Sequence, residues 1–322
     1  MSQTLETELH SIIDFERVIS METIQSLWSG YGSLDRVFLS GYVQPSIIVK
    51  DIRVPQKADH PRGWDTDAGH LRKLQSYEVE AHWYQHFNHL CDDACRTPRL
   101  LGYQKLDTHT LLVLEDLNGA GYDLRKQYLT TEELHACLRW LAVFHARFMG
   151  SKADGLWEVG TYWQLETRQA EWEAMADGPL KEKAAAIHQK LSNARFQTLV
   201  HGDAKYANFC FSPTGKVAAV DFQYVGRGCG MKDVAYLLSC FEGGIQDQRQ
   251  EEELLAQYLS ALCNHTTYIS PSISLAELES EWRGLYPFAC ADFERFLQGW
   301  APGHWKSNRY VKEKVDMVIE IL

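Results

Sequence analysis

The sequence predicts an α+β chain with a small β-rich N-terminal part and a larger α-rich C-terminal part. Two observations lead there. Up to about residue 116 the apolar residues fall in short runs separated by turn residues, interrupted by one long amphipathic stretch. Beyond it, apolar residues recur at three- and four-residue steps over several long segments. The corresponding domains are expected at 1–116 and 117–322.

The elements follow in order. Val37-Phe-Leu-Ser-Gly-Tyr42 and Ser46-Ile-Ile-Val-Lys50 flank Gln44-Pro45, the pattern of a hairpin. Leu71 to Leu90 reads as a helix, with Leu74, Tyr77, Ala81, Tyr84 and Phe87 on one face. Thr110-Leu-Leu-Val-Leu-Glu115 is a further strand, and Asp116-Leu117-Asn118-Gly119 breaks it into a hinge. Thr130-Thr-Glu-Glu133 fits a capping box ahead of a helix whose apolar face includes Leu134, Leu138, Leu141, Phe144 and His145. His145, on such a face, is expected to be a core histidine. Helical periodicity returns over 251–263 and 275–299.

Composition narrows the function classes. The formal net charge of −11 argues against nucleic acid as a partner, because a phosphate backbone needs a basic face. No run approaches the roughly 18 apolar residues of a membrane span. The first residues, Met1-Ser-Gln-Thr-Leu-Glu, lack the basic start and apolar core of a signal peptide. The eight cysteines show no C-x-x-C pair. Reduced thiols and a cytoplasmic location are expected, with no Cys/His metal site.

The chemistry is concentrated in His201-Gly202-Asp203-Ala-Lys205-Tyr-Ala-Asn208, followed by Val220-Asp221-Phe-Gln223. Phosphoryl transfer to a hydroxyl needs a carboxylate for the hydroxyl proton, a cation near the moving phosphate, and oxygen donors for Mg²⁺. Asp203, Lys205 and the pair Asn208 and Asp221 supply these in order. The step from Asp203 to Asn208 equals that of the kinase catalytic loop H-R-D-x-x-x-x-N. Ser212-Pro-Thr-Gly215 supplies a tight turn between Asn208 and the run Lys216-Val-Ala-Ala-Val220, which ends at Asp221.

With H-G-D in place of H-R-D, the chain resembles the aminoglycoside phosphotransferase and choline kinase superfamily, and within it most closely the ecdysteroid-kinase-like branch. The resemblance implies a bilobal kinase-like fold, ATP and Mg²⁺ as cofactors, and a small-molecule acceptor bearing a hydroxyl. Asp203 would be the base and Lys205 would screen the γ-phosphate. Lys50, at the end of its strand, is the candidate for the α- and β-phosphates, held by Glu80 or Glu78, of which Glu80 flanks the apolar stripe. Gly30, Gly32 and Ser33 form a turn able to approach phosphates, although Asp35 stands where a third glycine belongs. Adenine is expected against backbone groups near Glu115 and Leu117. Asp233 matches a family position expected to bond the catalytic-loop backbone, and His201 is expected to orient the loop.

Three clusters are candidates for the acceptor side. Asp59-His-Pro-Arg62-Gly-Trp64-Asp65 forms a polar, aromatic insertion, with Arg62 or Lys73 able to reach phosphate or substrate. Gly160 to Arg168 is a second cluster. Trp282, Tyr286, Trp300 and Trp305, interleaved with Asp292 and Glu294, either form core or box a quaternary ammonium through cation–π attraction. Gln223, just past Asp221, is placed to face the site. A protein kinase is a rival reading, but no A-P-E segment follows Asp221. A nucleotide-binding pseudoenzyme is the other rival, although every catalytic residue that can be placed is retained.

Overall fold

A computed structural model describes residues 3–27, 30–53, 67–241, 244–245, 247–265 and 267–322. These form two compact units, one drawn from 1–92, 96–124 and 210–220, the other from 93–95, 125–209 and 221–322.

The first unit is built on a five-stranded antiparallel sheet in the order β1-β2-β3-β5-β4. After helix α1 (Gln3–His10), the strands are β1 (Arg17–Ser26), β2 (Gly32–Ser40) and β3 (Ser46–Ile52). Helix α2 (Asp67–His86) precedes β4 (Leu100–Lys105) and β5 (Thr110–Glu115). Strand β2 alternates, with Asp35, Val37 and Leu39 buried on one face. Val37 and Leu39 share a core with Ile47, Val49, Leu111 and Val113, and Leu9 of α1 closes it. Strand β3 lies in the middle of the sheet, so nearly all of it is buried, Lys50 included.

Helix α1 and strands β1 and β4 were not apparent from the sequence. Strand β1 is an edge strand exposed along almost its whole length, with two irregularities in its register. It therefore carries no alternation of apolar and polar residues from which to recognise it.

The second unit is largely helical. Helix α3 (Thr131–Arg147) starts at the Thr130–Glu133 capping box, both of whose hydrogen bonds form. Three short helices follow, α4 (Gln169–Glu173), α5 (Pro179–Glu182) and α6 (Ala184–Ser192), then strand β6 (Thr198–Val200). The hairpin β7 (Phe209–Phe211) and β8 (Val217–Ala219) comes next, then β9 (Gly226–Gly228), antiparallel to β6. Helices α7 (Met231–Ser239), α8 (Gln248–Asn264), α9 (Leu275–Trp300) and α10 (Arg309–Ile321) complete the chain. Helix α9 packs against α4, α6, α7 and α10.

Residues 210–220 of the β7–β8 hairpin group with the first unit. Cys210 and Ala218 share a small core with Leu117 and Tyr122. The first unit is thus discontinuous in sequence, whereas the sequence reading used a single boundary at 116–117. Among the described residues, no helix is long and apolar enough to cross a membrane.

Candidate active site

The loop 201–208 leaves strand β6 and is fixed from behind by three helices. Asp233, in the first turn of α7, accepts from the backbone N–H of His201 (2.5 Å) and of Gly202 (2.9 Å). His145 of α3 contacts Asp233 through Nε2 at 3.1 Å, and its Nδ1 meets the Tyr258 hydroxyl of α8 at 2.7 Å. His145 is fully buried and hydrogen-bonded on both ring nitrogens, which makes it core support for Asp233. His201, equally buried, packs against Phe222, and its Nδ1 accepts from Asp203 N–H at 3.3 Å.

Gly202 has φ +81°, and a Cβ there would sit 2.0 Å from the Tyr224 carbonyl oxygen. Gly202→Ala is therefore expected to lower stability by at least about 1–2 kcal/mol, the cost of the left-handed conformation alone. Displacement of the Tyr224 backbone adds to this. Denaturant unfolding of the variant measures it, and an unchanged midpoint would contradict the geometry.

Asp203 is buried and its two carboxylate oxygens differ. Lys205 Nζ donates to Oδ2 at 2.9 Å and Asn208 Nδ2 donates to Oδ2 at 3.0 Å, and Asn208 Nδ2 also reaches the Asp203 carbonyl at 2.8 Å. Oδ1 is buried with no hydrogen-bond partner among the described residues. Burial raises the Asp203 carboxyl above the usual range, Lys205 pulls it down, and Asp221 adds to the rise. For Lys205, burial lowers the ammonium, but Asp203 and Asp221 more than offset it, so the lysine stays charged.

Asp221 follows β8 with φ +70°, a left-handed conformation that non-glycine residues adopt infrequently and that clusters at functional sites. Thr161, a β-branched residue at φ +105°, lies in the segment that braces the loop. There Tyr162 N–H donates to Gly202 O at 3.1 Å and Thr161 N–H to Tyr224 O at 3.1 Å. Burial and the Asp203 carboxylate together raise the Tyr162 and Tyr236 hydroxyls well above the ordinary tyrosine range.

In the first unit, Lys50 on β3 donates to Glu80 of α2 at 2.5 Å, and both side chains are buried. Glu78 is exposed and faces Lys105 at 3.6 Å. Gly30 (φ +76°) and Gly32 (φ +118°) end the β1–β2 turn, and a Cβ on Gly32 would strike the Asp51 carbonyl at 1.9 Å. The Asp35 carboxylate accepts from the hydroxyls of Thr23 (2.6 Å) and Ser33 (2.5 Å). It therefore ties the strands of the turn together, and the Ser33 hydroxyl is spent on it.

At the end of β5, Glu115 is held by Arg96 at 2.5 Å and Arg99 at 3.2 Å. Burial would raise its carboxyl, but these hydrogen bonds hold it below the usual range. Asp116 accepts from Arg36 (2.7 Å), Ser46 (2.6 Å) and Asn118 N–H (3.0 Å). The Leu117 carbonyl accepts from Tyr122 N–H at 2.8 Å, while its own N–H carries no hydrogen bond among the described residues.

A model of the phosphotransferase enzyme family APH matches residues 23–270, most of the chain. The chain belongs to the APH phosphotransferase enzyme family. Among solved structures it is similar in fold to an amicoumacin kinase in complex with AMP-PNP, Ca²⁺ and Ami. The TM-score is 0.54 at 12% identity, over 99% of this chain and 92% of that one. A microcompartment-associated aminopropanol kinase gives TM-score 0.48 at 13% identity, over 98% of this chain and 94% of that one. An aminoglycoside phosphotransferase from Streptomyces rimosus, in complex with ADP and streptomycin, gives 0.47 at 15% identity, over 84% and 92%. No curated protein matches in sequence. The ecdysteroid-kinase-like branch remains a reading of the sequence alone.

In this APH-family chain most of the aromatic–carboxylate cluster is core, whereas Trp305 is 60% exposed. Trp282 is fully buried, stacked near Tyr258, with Nε1 donating to Phe196 O at 3.1 Å. Tyr286 is buried against Tyr310. Burial would raise the Asp292 carboxyl, but Arg295 and Lys232 hold it low. Glu294 accepts from Gln298 and Ser307, both at 2.5 Å. Trp300 stacks on Phe296. Asp292 and Oε1 of Glu294 are engaged by the chain's own donors. Oε2 of Glu294 has no hydrogen-bond partner among the described residues. Both side chains are buried with Trp282 and Tyr286, which leaves no open box there for a quaternary ammonium. Gly160 to Arg168 braces the loop 201–208, with Arg168 Nε donating to Tyr162 O at 2.6 Å. Gln223 is buried, and its carbonyl accepts from Trp157. Lys73 lies over the Tyr77 ring at 4.5 Å. The insertion 59–65 lies outside the described residues.

Sequence reasoning missed Tyr236, whose hydroxyl meets that of Tyr162 at 3.3 Å. Its signal was present, three residues after Asp233 on the same face of a short helix.

Proposed function

We propose that the chain is an ATP- and Mg²⁺-dependent kinase that phosphorylates a hydroxyl of a small molecule, with Asp203 as the base. The Asp203 carboxylate carries this reading. Lys205 and Asn208 occupy Oδ2, while Oδ1 is buried and unshared among the described residues. An oxygen held in that state is an acceptor for the proton of a bound hydroxyl. Lys205 keeps its charge, which suits it to screen the phosphate that moves toward the acceptor.

Oxygen donors fit a hard divalent cation. The Asn208 amide commits Nδ2 to Asp203, which leaves its carbonyl oxygen as a donor, and Asp221 supplies a carboxylate. Among the described residues there is no competing cluster of three His, Cys, Asp or Glu side chains. When bound, Mg²⁺ would supply neutralisation of phosphate charge. Lys50, tethered by Glu80, would hold the α- and β-phosphates, and the turn at Gly30, Gly32 and Ser33 would offer backbone N–H groups. The adenine edge would meet backbone at Glu115 and the Leu117 N–H.

The route from Asp221 to helix α7 runs only through β9 at Gly226–Gly228, too short for the activation segment of a protein kinase. Among the described residues none of the eight cysteines forms a disulfide, and a cytoplasmic setting is part of this proposal.

Purified protein with Mg-ATP and a broad panel of hydroxyl metabolites is expected to yield a phosphorylated product. Chelation of divalent ions is expected to abolish it. ATP should raise the melting temperature more with Mg²⁺ than without. An absence of product, together with ATP turnover unchanged by Asp203→Ala, would refute the mechanism.

A further inference from the structure

We infer that Cys240 and Lys306 form a redox-reversible S–O–N cross-link, a modification site that joins the end of helix α7 to the loop between α9 and α10. Lys306 Nζ lies 2.8 Å from Cys240 Sγ. Typical N–H···O hydrogen bonds measure about 2.9–3.0 Å, and sulfur is a larger atom than oxygen, so an ordinary hydrogen bond to a thiol is longer. The separation instead suits a nitrogen and a sulfur bonded through one bridging oxygen.

The surroundings favour the same reading. Cys240 is 3% exposed and Lys306 is 8% exposed. Lys306 Nζ sits over the Tyr236 ring at 4.4 Å, and 5.6 Å from the rings of Phe293 and Trp305. Among the described residues no carboxylate pairs with it. A buried ammonium without an anion is costly, and aromatic faces return only part of that cost. A nitrogen bonded to oxygen is uncharged and removes the penalty.

The oxidant is dioxygen or a peroxide. One thiol, one neutral amine and one dioxygen give the S–O–N linkage and one water. With hydrogen peroxide, two equivalents are consumed and three waters leave. In both cases the S–H bond and one N–H bond break, S–O and O–N bonds form, and sulfur and nitrogen are each oxidised by two electrons. Two equivalents of a dithiol, each oxidised to its disulfide, supply the four electrons that restore thiol and amine, and the bridging oxygen leaves as water.

The cross-link would remove a positive charge from the face of Tyr236, whose hydroxyl meets that of Tyr162, the residue bonded to Gly202 in the catalytic loop. This consequence for catalysis rests on the Asp203 reading above. The cross-link itself does not.

The test is peptide mapping of the full chain, digested without reductant, as purified and after hydrogen peroxide. The expected species is a linked pair of peptides carrying Cys240 and Lys306, heavier than their sum by one oxygen and lighter by two hydrogens. Dithiothreitol should release it, and both Cys240→Ser and Lys306→Arg should eliminate it. Oxygen added to Cys240 alone, with the Lys306 peptide unmodified, would overturn the proposal. A linked pair that has lost two hydrogens without gaining oxygen would overturn it too, since that is a direct S–N bond. Because wild-type protein provides the decisive readout, poor folding of a variant does not blur the result. A mapped cross-link in a protein without kinase activity would separate this proposal from the functional one.

Discussion

Replacing Asp203 with asparagine is expected to lower kcat by about 10²–10⁴-fold, the range that a positioned general base contributes. The substitution keeps the size and planarity of the side chain but removes the basicity of Oδ1, the oxygen left unshared when Lys205 and Asn208 take Oδ2. The fold should tolerate it. Burial already opposes the charged form of Asp203, and Asp221 adds repulsion, so the native carboxylate is retained against the preference of its surroundings. A neutral amide is expected to leave the melting temperature unchanged or raise it, the usual relation at catalytic positions. Steady-state kinetics and thermal unfolding of the same preparation check both halves. A variant with wild-type kcat would remove Asp203 from the chemistry, and one that is inactive because it is unfolded would leave the stability half wrong.

The second large effect is expected at the buried pair of Lys50 and Glu80. Glu80→Ala leaves an ammonium in the interior between β3 and α2, and such a loss costs about 3–5 kcal/mol. The double replacement Lys50→Met with Glu80→Leu removes both charges and should be far less destabilising, within about 1–4 kcal/mol of wild type in the stabilising direction or neutral. Yet the double variant should have lost its grip on nucleotide. Denaturant unfolding of the single and double variants, with ATP-induced thermal shifts, separates the two roles. If Glu80→Ala and the double variant were equally stable, the ion pair would not be the buried, coupled element that its 2.5 Å separation indicates.

Residues close in sequence were read with little loss. The capping box at Thr130 and Glu133, the turn at Ser212–Gly215 and the helices that became α8 and α9 are all local patterns. Each is fixed by hydrogen bonds or periodicity within a few residues. The departures came wherever the meaning of a residue depended on its distant partners. Trp282, Tyr286, Asp292 and Glu294 can be read from sequence as core or as a ligand box, and their burial and contacts with Arg295, Lys232, Tyr310 and Ser307 make them core. Asp35 looked like a misplaced charge at a phosphate turn, and proved to be a bracket between Thr23 and Ser33. Strand β1, exposed along an edge, gave no alternation to read.

By itself the sequence determined the order of the candidate site residues. His201, Gly202, Asp203, Lys205, Asn208 and Asp221 stand at spacings set by a single loop and hairpin, and covalent geometry keeps such residues near one another whatever the rest of the chain does. Only the tertiary structure decided which carboxylate met Lys50, that Asp233 and His145 hold the loop from helices 31 and 56 residues away from Gly202 and His201 respectively (233 − 202 and 201 − 145), and that Lys306 lies against Cys240. Those pairings join segments whose separation along the chain carries no information about their separation in space. They are selected by burial, because a charged or polar group taken out of water must find its partner wherever the fold supplies one.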